Sequence, residues 1–147
     1  MLHGIDTDFL VAVEVIGHPF HAAANLLLDE LLDQGARFAL APQTVAEFLH
    51  VVTDAKRMPQ PLDMPDALER AERWWDAEEV TRVFPDAFAT TAFFAALRQH
   101  RLGRKRLLDT LLAVTFLHAG VDKIITNNTG DFQPFDGLRP LPFRQTV

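Results

Sequence analysis

The chain has 147 residues, 48% of them hydrophobic, with a formal net charge of −6 and no cysteine. That is enough apolar material for the core of one domain, and it excludes disulfides, thiolate metal sites and cysteine nucleophiles. The acidic balance argues against a protein that coats nucleic acid through bulk positive charge.

Leu2 to Asp6 reads as a very short first strand. A helix is predicted from Thr7 to Ile16, stopped by Gly17 and Pro19. The run HAAANLLLDELLDQG carries apolar residues at helical spacing and ends at Gly35. RFALA is a second strand, and PQTVAEFLHVVTDA a helix opened by Pro42. The proline-rich KRMPQPLDMP is a loop, and Pro65 then opens a helix carrying Trp74 and Trp75. EEVTRVF is a third strand; DAFATTAFFAALRQH is a helix with Asp86 as its N-cap. RLLDTLLAVTFLHAG is a strongly apolar helix closed by Gly120, KIIT a short buried strand, NNTGDFQPFDG a loop and LRPLPF a terminal extended segment. Short strands alternating with long helices predict a parallel sheet between helical layers, a three-layer α/β/α sandwich, as a single domain over residues 1–147. Ligands of such folds sit beyond the carboxyl ends of the strands.

Acids stand at those ends. Asp6 closes the first strand, and as a lone residue it, like Asp8, reads as a helix N-cap. Thr44-Val-Ala-Glu47 fits a capping box, with Glu47 reaching back to a backbone N–H. Asp109 is harder to assign to a cap. Its helix is apolar nearly all round, which predicts burial, and a buried unpaired carboxylate costs several kcal/mol against the roughly 0.3–1 kcal/mol a helix dipole returns. Asp131 and Asn128 lie in a turn-like TNNTGDF. Four acids gathered at one pole repel: two carboxylates about 5 Å apart interact by roughly +3 kcal/mol at an effective dielectric of ~20. Shared protons or a divalent cation relieve this, and an all-oxygen donor set suits Mg²⁺ or Mn²⁺.

In their order and spacing, IDTDFLVAVE, PQTVAEFLHVV, RLLDTLLAVTFLHAG and IITNNTGDF resemble a PIN domain, with the nearest likeness to VapC-type toxins of toxin–antitoxin operons. The resemblance implies a metal-dependent endoribonuclease that hydrolyses phosphodiesters with a metal-activated water. Carried over residue by residue, it makes Asp6, Glu47, Asp109 and Asp131 the catalytic and metal-binding acids. Asp6 and Asp109 bind the cation, Glu47 binds it or orients water, and Asp131 serves a second metal or a water. Family members often place an acid or Asn where Asn128 stands, and a small polar residue where this chain has Asp8. The role of Asp8 is therefore open between a fifth ligand, an outer acid and a cap. Asn128, Thr7 and Thr110 are expected to hydrogen-bond around the site.

Arg98, Arg101, Arg104, Lys105 and Arg106 are five of the 14 basic residues within nine positions. The first four are expected to steer RNA phosphates; the plain alternative is a solvated helix end. The resemblance also implies a homodimer and a VapB-type antitoxin, whose helix would lie in a groove framed by the first two helices and the Trp74 segment. FATTAFFAAL is either core or a dimer face. Trp74 and Trp75 read as packing residues. A zinc site at His18 and His21 is not expected, because a proline separates them and no third histidine is near in sequence. No signal peptide is expected, since a basic N-terminal segment is missing and Glu14 interrupts the apolar run. No apolar run nears the roughly 20 residues that span a bilayer, so no membrane partner and a cytoplasmic location are expected. Two rivals remain: a haloacid dehalogenase-type phosphatase with Asp6 as nucleophile and Asp8 as acid–base, and a catalytically inactive antitoxin-binding module. Glu47 and Asp109 are unexplained by the first, and the intact set of acids opposes the second.

Overall fold

The computed structural model describes residues 1–144. Five strands form one all-parallel sheet in the order β3-β2-β1-β4-β5: β1 (Leu2–Ile5), β2 (Arg37–Leu40), β3 (Val80–Arg82), β4 (Lys123–Ile125) and β5 (Arg139–Leu141). The helices are α1 (Thr7–Glu14), α2 (His21–Asp33), α3 (Pro42–Val52), α4 (Met64–Asp76), α5 (Ala87–Gln99), α6 (Leu107–His118) and the short α7 (Thr129–Phe132). A 3-10 turn, Arg104–Arg106, leads into α6.

Strand periodicity sorts the two faces. Ile5, Phe38, Leu40 and Ile125 belong to one core with Phe9, Leu10, Phe48, Val52, Ala67 and Ala71, which lie on α1, α3 and α4. Ala39 and Ile124 belong to a second core with Leu112, Ala113 and Phe116 of α6 and Phe132 and Phe135 beyond β4. Gly4, in register with Ala39 and Ile124, lets α6 approach the sheet. A Cβ there would lie 2.7 Å from the Phe116 ring.

Four local expectations are corrected. The first helix ends at Glu14, two residues early: Val15 is extended, and Glu14 is tied to α4, its carboxylate accepting from Trp74 Nε1 at 2.8 Å and Arg70 at 3.3 Å. The predicted loop after β4 contains α7. The α5 segment is not core, since Ala89 is its one buried residue. Helix α6 is not buried all round either, because Leu107 and Leu108 at its start are exposed. Asp86 caps α5 as expected, accepting from the Ala89 N–H at 2.8 Å. Trp74 packs edge-on against Phe38, and Trp75 stacks beneath Arg82. His21 Nδ1 bonds the Ala12 carbonyl, and His18 Nδ1 accepts from the Phe20 N–H. No helix among the described residues is long and apolar enough to cross a membrane.

Candidate active site

Strand order reverses direction around β1, and the crevice between the ends of β1 and β4 is where an open parallel sheet collects its ligand. Asp6 stands there. Its backbone N–H continues the β1–β4 pairing by donating to the Ile125 carbonyl at 3.3 Å. Its carboxylate, only 7% exposed, takes the N-cap of α1: one oxygen accepts from the Thr7 N–H at 2.8 Å. The other accepts from the hydroxyl of Thr126, the first residue past β4, at 2.7 Å. The Thr126 oxygen in turn accepts from the Asn128 N–H at 3.0 Å, which directs its single proton to Asp6.

Two residues on, in the first turn of α1, Asp8 reaches the same threonine. Its Oδ2 lies 3.4 Å from the Thr126 hydroxyl and accepts from the Asn127 N–H at 2.9 Å. Its Oδ1 is buried with no hydrogen-bond partner among the described residues. Burial, then the charge of Asp8, and further the charge of Asp109, push the Asp6 carboxyl up to about 7. Burial pushes Asp8 up to about 6. Both shifts favour the protonated carboxyl over the range where ordinary carboxylates are ionised.

Asp109 lies half-buried in the first turn of α6, at the same pole because α6 runs against the strands. Burial, then repulsion by Asp131 and Glu47, raises its carboxyl; Arg106 works against the rise. Glu47 is exposed on α3. The expected capping box does not form: α3 starts at Pro42 with Ala41 as its cap residue, so Thr44 sits inside the helix and its hydroxyl donates to the Ile5 carbonyl at 3.4 Å. Glu47 is thereby left without a capping role. Asp131, in the first turn of α7, is held by Arg106: the guanidinium donates to its carbonyl at 2.5 Å and stands 3.7 Å from its carboxylate, which is 43% exposed. Asp6 thus shares Thr126 with Asp8 and feels the charge of Asp109, while Asp109 in turn feels the charges of Asp131 and Glu47.

The supporting residues divide. Asn128 is exposed and serves through its backbone N–H. Thr7 is buried and gives its N–H to Asp6. The Thr110 hydroxyl donates to the Arg106 carbonyl at 2.6 Å, inside its own helix. Arg98, Arg101, Arg104 and Lys105 are exposed along the end of α5 and the turn before Asp109. Three residues escaped the sequence reading. Thr126 carries the hydrogen bond to Asp6; a polar residue closing the buried KII was the available signal. Arg106 was read only as part of a basic run. Asn127 pins the C-terminal segment, its side-chain oxygen accepting from the Phe143 and Arg144 N–H groups at 2.8 and 3.0 Å; nothing in the sequence distinguishes that role from a turn.

Among the described residues, no three His, Asp or Glu side chains stand together as a ready cation cage. The donor chemistry nonetheless fits a hard cation. Mg²⁺ keeps several waters and is held by one or two carboxylates; Asp6 and Asp109 repel across the crevice, and the buried Asp8 oxygen lacks a donor.

The PIN domain family profile matches residues 5–138. Ribonuclease VapC24 of Mycobacterium tuberculosis is 29% identical over 136 residues, covering 89% of each chain. Among solved structures, VapBC2 of Rickettsia felis, bound to a DNA fragment from its promoter, superposes with a TM-score of 0.69 at 18% identity over 98% of this chain and 100% of that one. Mycobacterium tuberculosis VapC20, a Sarcin-Ricin loop cleaving toxin, gives 0.63 at 14% identity over 84% and 87%. At such identities these two likenesses speak to the fold.

Proposed function

The chain belongs to the PIN domain family, and on that footing we propose that it is the ribonuclease toxin of a VapBC-type toxin–antitoxin pair, a Mg²⁺- or Mn²⁺-dependent endoribonuclease. The observation that carries this reading is the placement of Asp6, which ends β1 and caps α1, at the carboxyl end of the sheet, where the charges of Asp8 and Asp109 act on its buried carboxyl. The likeness to Ribonuclease VapC24 supports the activity, and the likeness to a VapBC complex supports an antitoxin partner. The match to the PIN profile removes the phosphatase alternative.

A divalent cation bound here would supply Lewis acidity, lowering the pKa of water and neutralising the leaving oxygen. Asp6 and Asp109 would hold it. Asp6 is oriented by the Thr7 N–H and the Thr126 hydroxyl. Glu47, exposed and uncommitted to a cap, orients the attacking water and takes its proton. Asp131 stands at the rim, steadied by Arg106. Asn128 and Thr7 orient their neighbours through backbone N–H groups. Arg98, Arg101, Arg104 and Lys105 draw the phosphate backbone past the acids.

The antitoxin helix is assigned to the cleft of about 520 Å³ lined by Val13, Ile16, Leu28, Leu32 and Trp74, at the pole opposite the acids. A homodimer through the exposed Phe88 and Phe94 of α5, and a cytoplasmic location, complete the proposal. Replacing Asp6 or Asp109 by Asn is expected to lower Mg²⁺-dependent RNA cleavage by about 100-fold or more, the scale of losing a preorganised electrostatic group. Undiminished cleavage by either variant overturns the assignment.

A further inference from the structure

We infer that Asp8 is the carboxylate that completes the cation site beside Asp6 and Asp109, doing from the first turn of α1 what an acid in the loop after β4 would otherwise do. The inference rests on the metal-dependent reading above and deepens it.

The charge count in the crevice leads there. The loop after β4 puts a neutral side chain at Asn128, exposed and joined to the site only through its N–H. Asp131, three residues on, is 43% exposed and already has a cation, the Arg106 guanidinium at 3.7 Å. Asp8 reaches that same loop from the other side. Its Oδ2 accepts from the Asn127 N–H at 2.9 Å, so the carboxylate rests on the turn that Asn128 belongs to. It shares Thr126 with Asp6, at 3.4 and 2.7 Å respectively. That contact places two carboxylates within the span of one hydroxyl, with the residue between them, Thr7, buried.

What marks Asp8 as more than a cap is its other oxygen. Oδ1 is removed from water and, among the described residues, has no partner at hydrogen-bond geometry. A buried charged acceptor left unmade is costly, and a cap satisfied by Oδ2 alone does not require it. Asp6, by contrast, has both oxygens hydrogen-bonded. The missing partner of Asp8 is a cation, and hard, oxygen-seeking Mg²⁺ or Mn²⁺ matches the donor. A ligand on a helix whose N-cap is itself a ligand is held more firmly than one on a loop.

The test is Mn²⁺ binding by the full-length chain without RNA, followed by the free Mn²⁺ electron paramagnetic resonance signal and by calorimetry. Asp8→Asn is expected to weaken binding roughly tenfold or more, since losing even a partner that only orients a metal ligand costs about 10- to 100-fold. Asp8→Ser, which keeps an oxygen for the Asn127 N–H, is expected to weaken it equally and guards against a folding defect in the first variant. Returning the charge to the loop in the double variant Asp8→Asn/Asn128→Asp is expected to recover most of the affinity. Asp131→Asn is expected to shift it less than Asp8→Asn does. Native-like Mn²⁺ affinity in both Asp8 variants overturns the inference and leaves the nuclease reading standing. Absence of Mn²⁺ binding by the unaltered chain overturns both.

Discussion

Asp6 shows how a single residue trades stability for chemistry. Its carboxyl is held at about 7 against an ordinary 3.8, first by burial and then by Asp8. The folded protein therefore keeps a proton that the unfolded chain releases between about pH 4 and pH 7. By linkage, stability falls as pH rises through that window, and the full penalty is present above about pH 7. Asp6→Asn removes the titration. In EDTA, its melting temperature relative to the native chain is expected to climb between pH 5 and pH 8, reflecting on the order of a few kcal/mol. Near pH 4 the two proteins are expected to differ little from this cause. A gap that stays constant over pH 4–8 contradicts the assignment. Asp6 was legible as a special residue because it ends an apolar strand. Thr126 was not, because a hydroxyl at a strand end carries no signal until β1 and β4 are known to be neighbours.

At the scale of elements, the pole depends on how closely α6 meets the sheet. Gly4 sits centrally in β1 between Ala39 and Ile124, and its missing side chain accepts the buried Phe116 ring. Gly4→Ala puts a methyl at 2.7 Å from that ring. Overpacking of this kind costs typically 1–3 kcal/mol. The expected result is a lower urea midpoint with an unchanged slope, and unchanged stability would show that α6 has room to move. The same contact sets the height of Asp109, which lies two turns before Phe116 on α6. Element types were readable because α2, α3, α5 and α6 are long and periodic and each strand is bounded by a breaker. The ends were less so. Thr44 and Glu47 have the spacing of a capping box, but Pro42 starts the helix two residues earlier, and local spacing does not reveal which start wins. Helix α7 was hidden because four residues make too short a period.

The whole molecule faces an electrostatic problem. Its net charge is −6, its acids gather at one pole, and its proposed substrate is a polyanion. The basic run from Arg98 to Lys105, exposed and leading into the helix of Asp109, offsets this locally. In an Asp6→Asn background, where RNA is bound but not cut, Arg104→Ala/Lys105→Ala is expected to weaken RNA binding and to flatten its salt dependence. The slope of log affinity against log salt should fall by roughly 0.7 per phosphate contact removed. An unchanged slope would place those side chains in solvent rather than on RNA. The acid crevice and the cleft by Trp74 lie at the two ends of α1, because that helix is capped by Asp6 and ends at Glu14, which lines the cleft.

The amino-acid order by itself determined the alternation of strands and helices, the parallel sheet that follows from it, and the candidates Asp6, Glu47, Asp109 and Asp131. Those features rest on periodicity and on charge set against an apolar background, both of which are local. Only the tertiary structure decided which acids share a crevice. Asp6 and Asp8 are joined through Thr126, more than a hundred residues away in the chain; Asp131 is paired with Arg106; and Asn128 acts through its backbone. These are pairings across strands and between helices. Their energies depend on distance and burial, which neighbours in sequence do not specify.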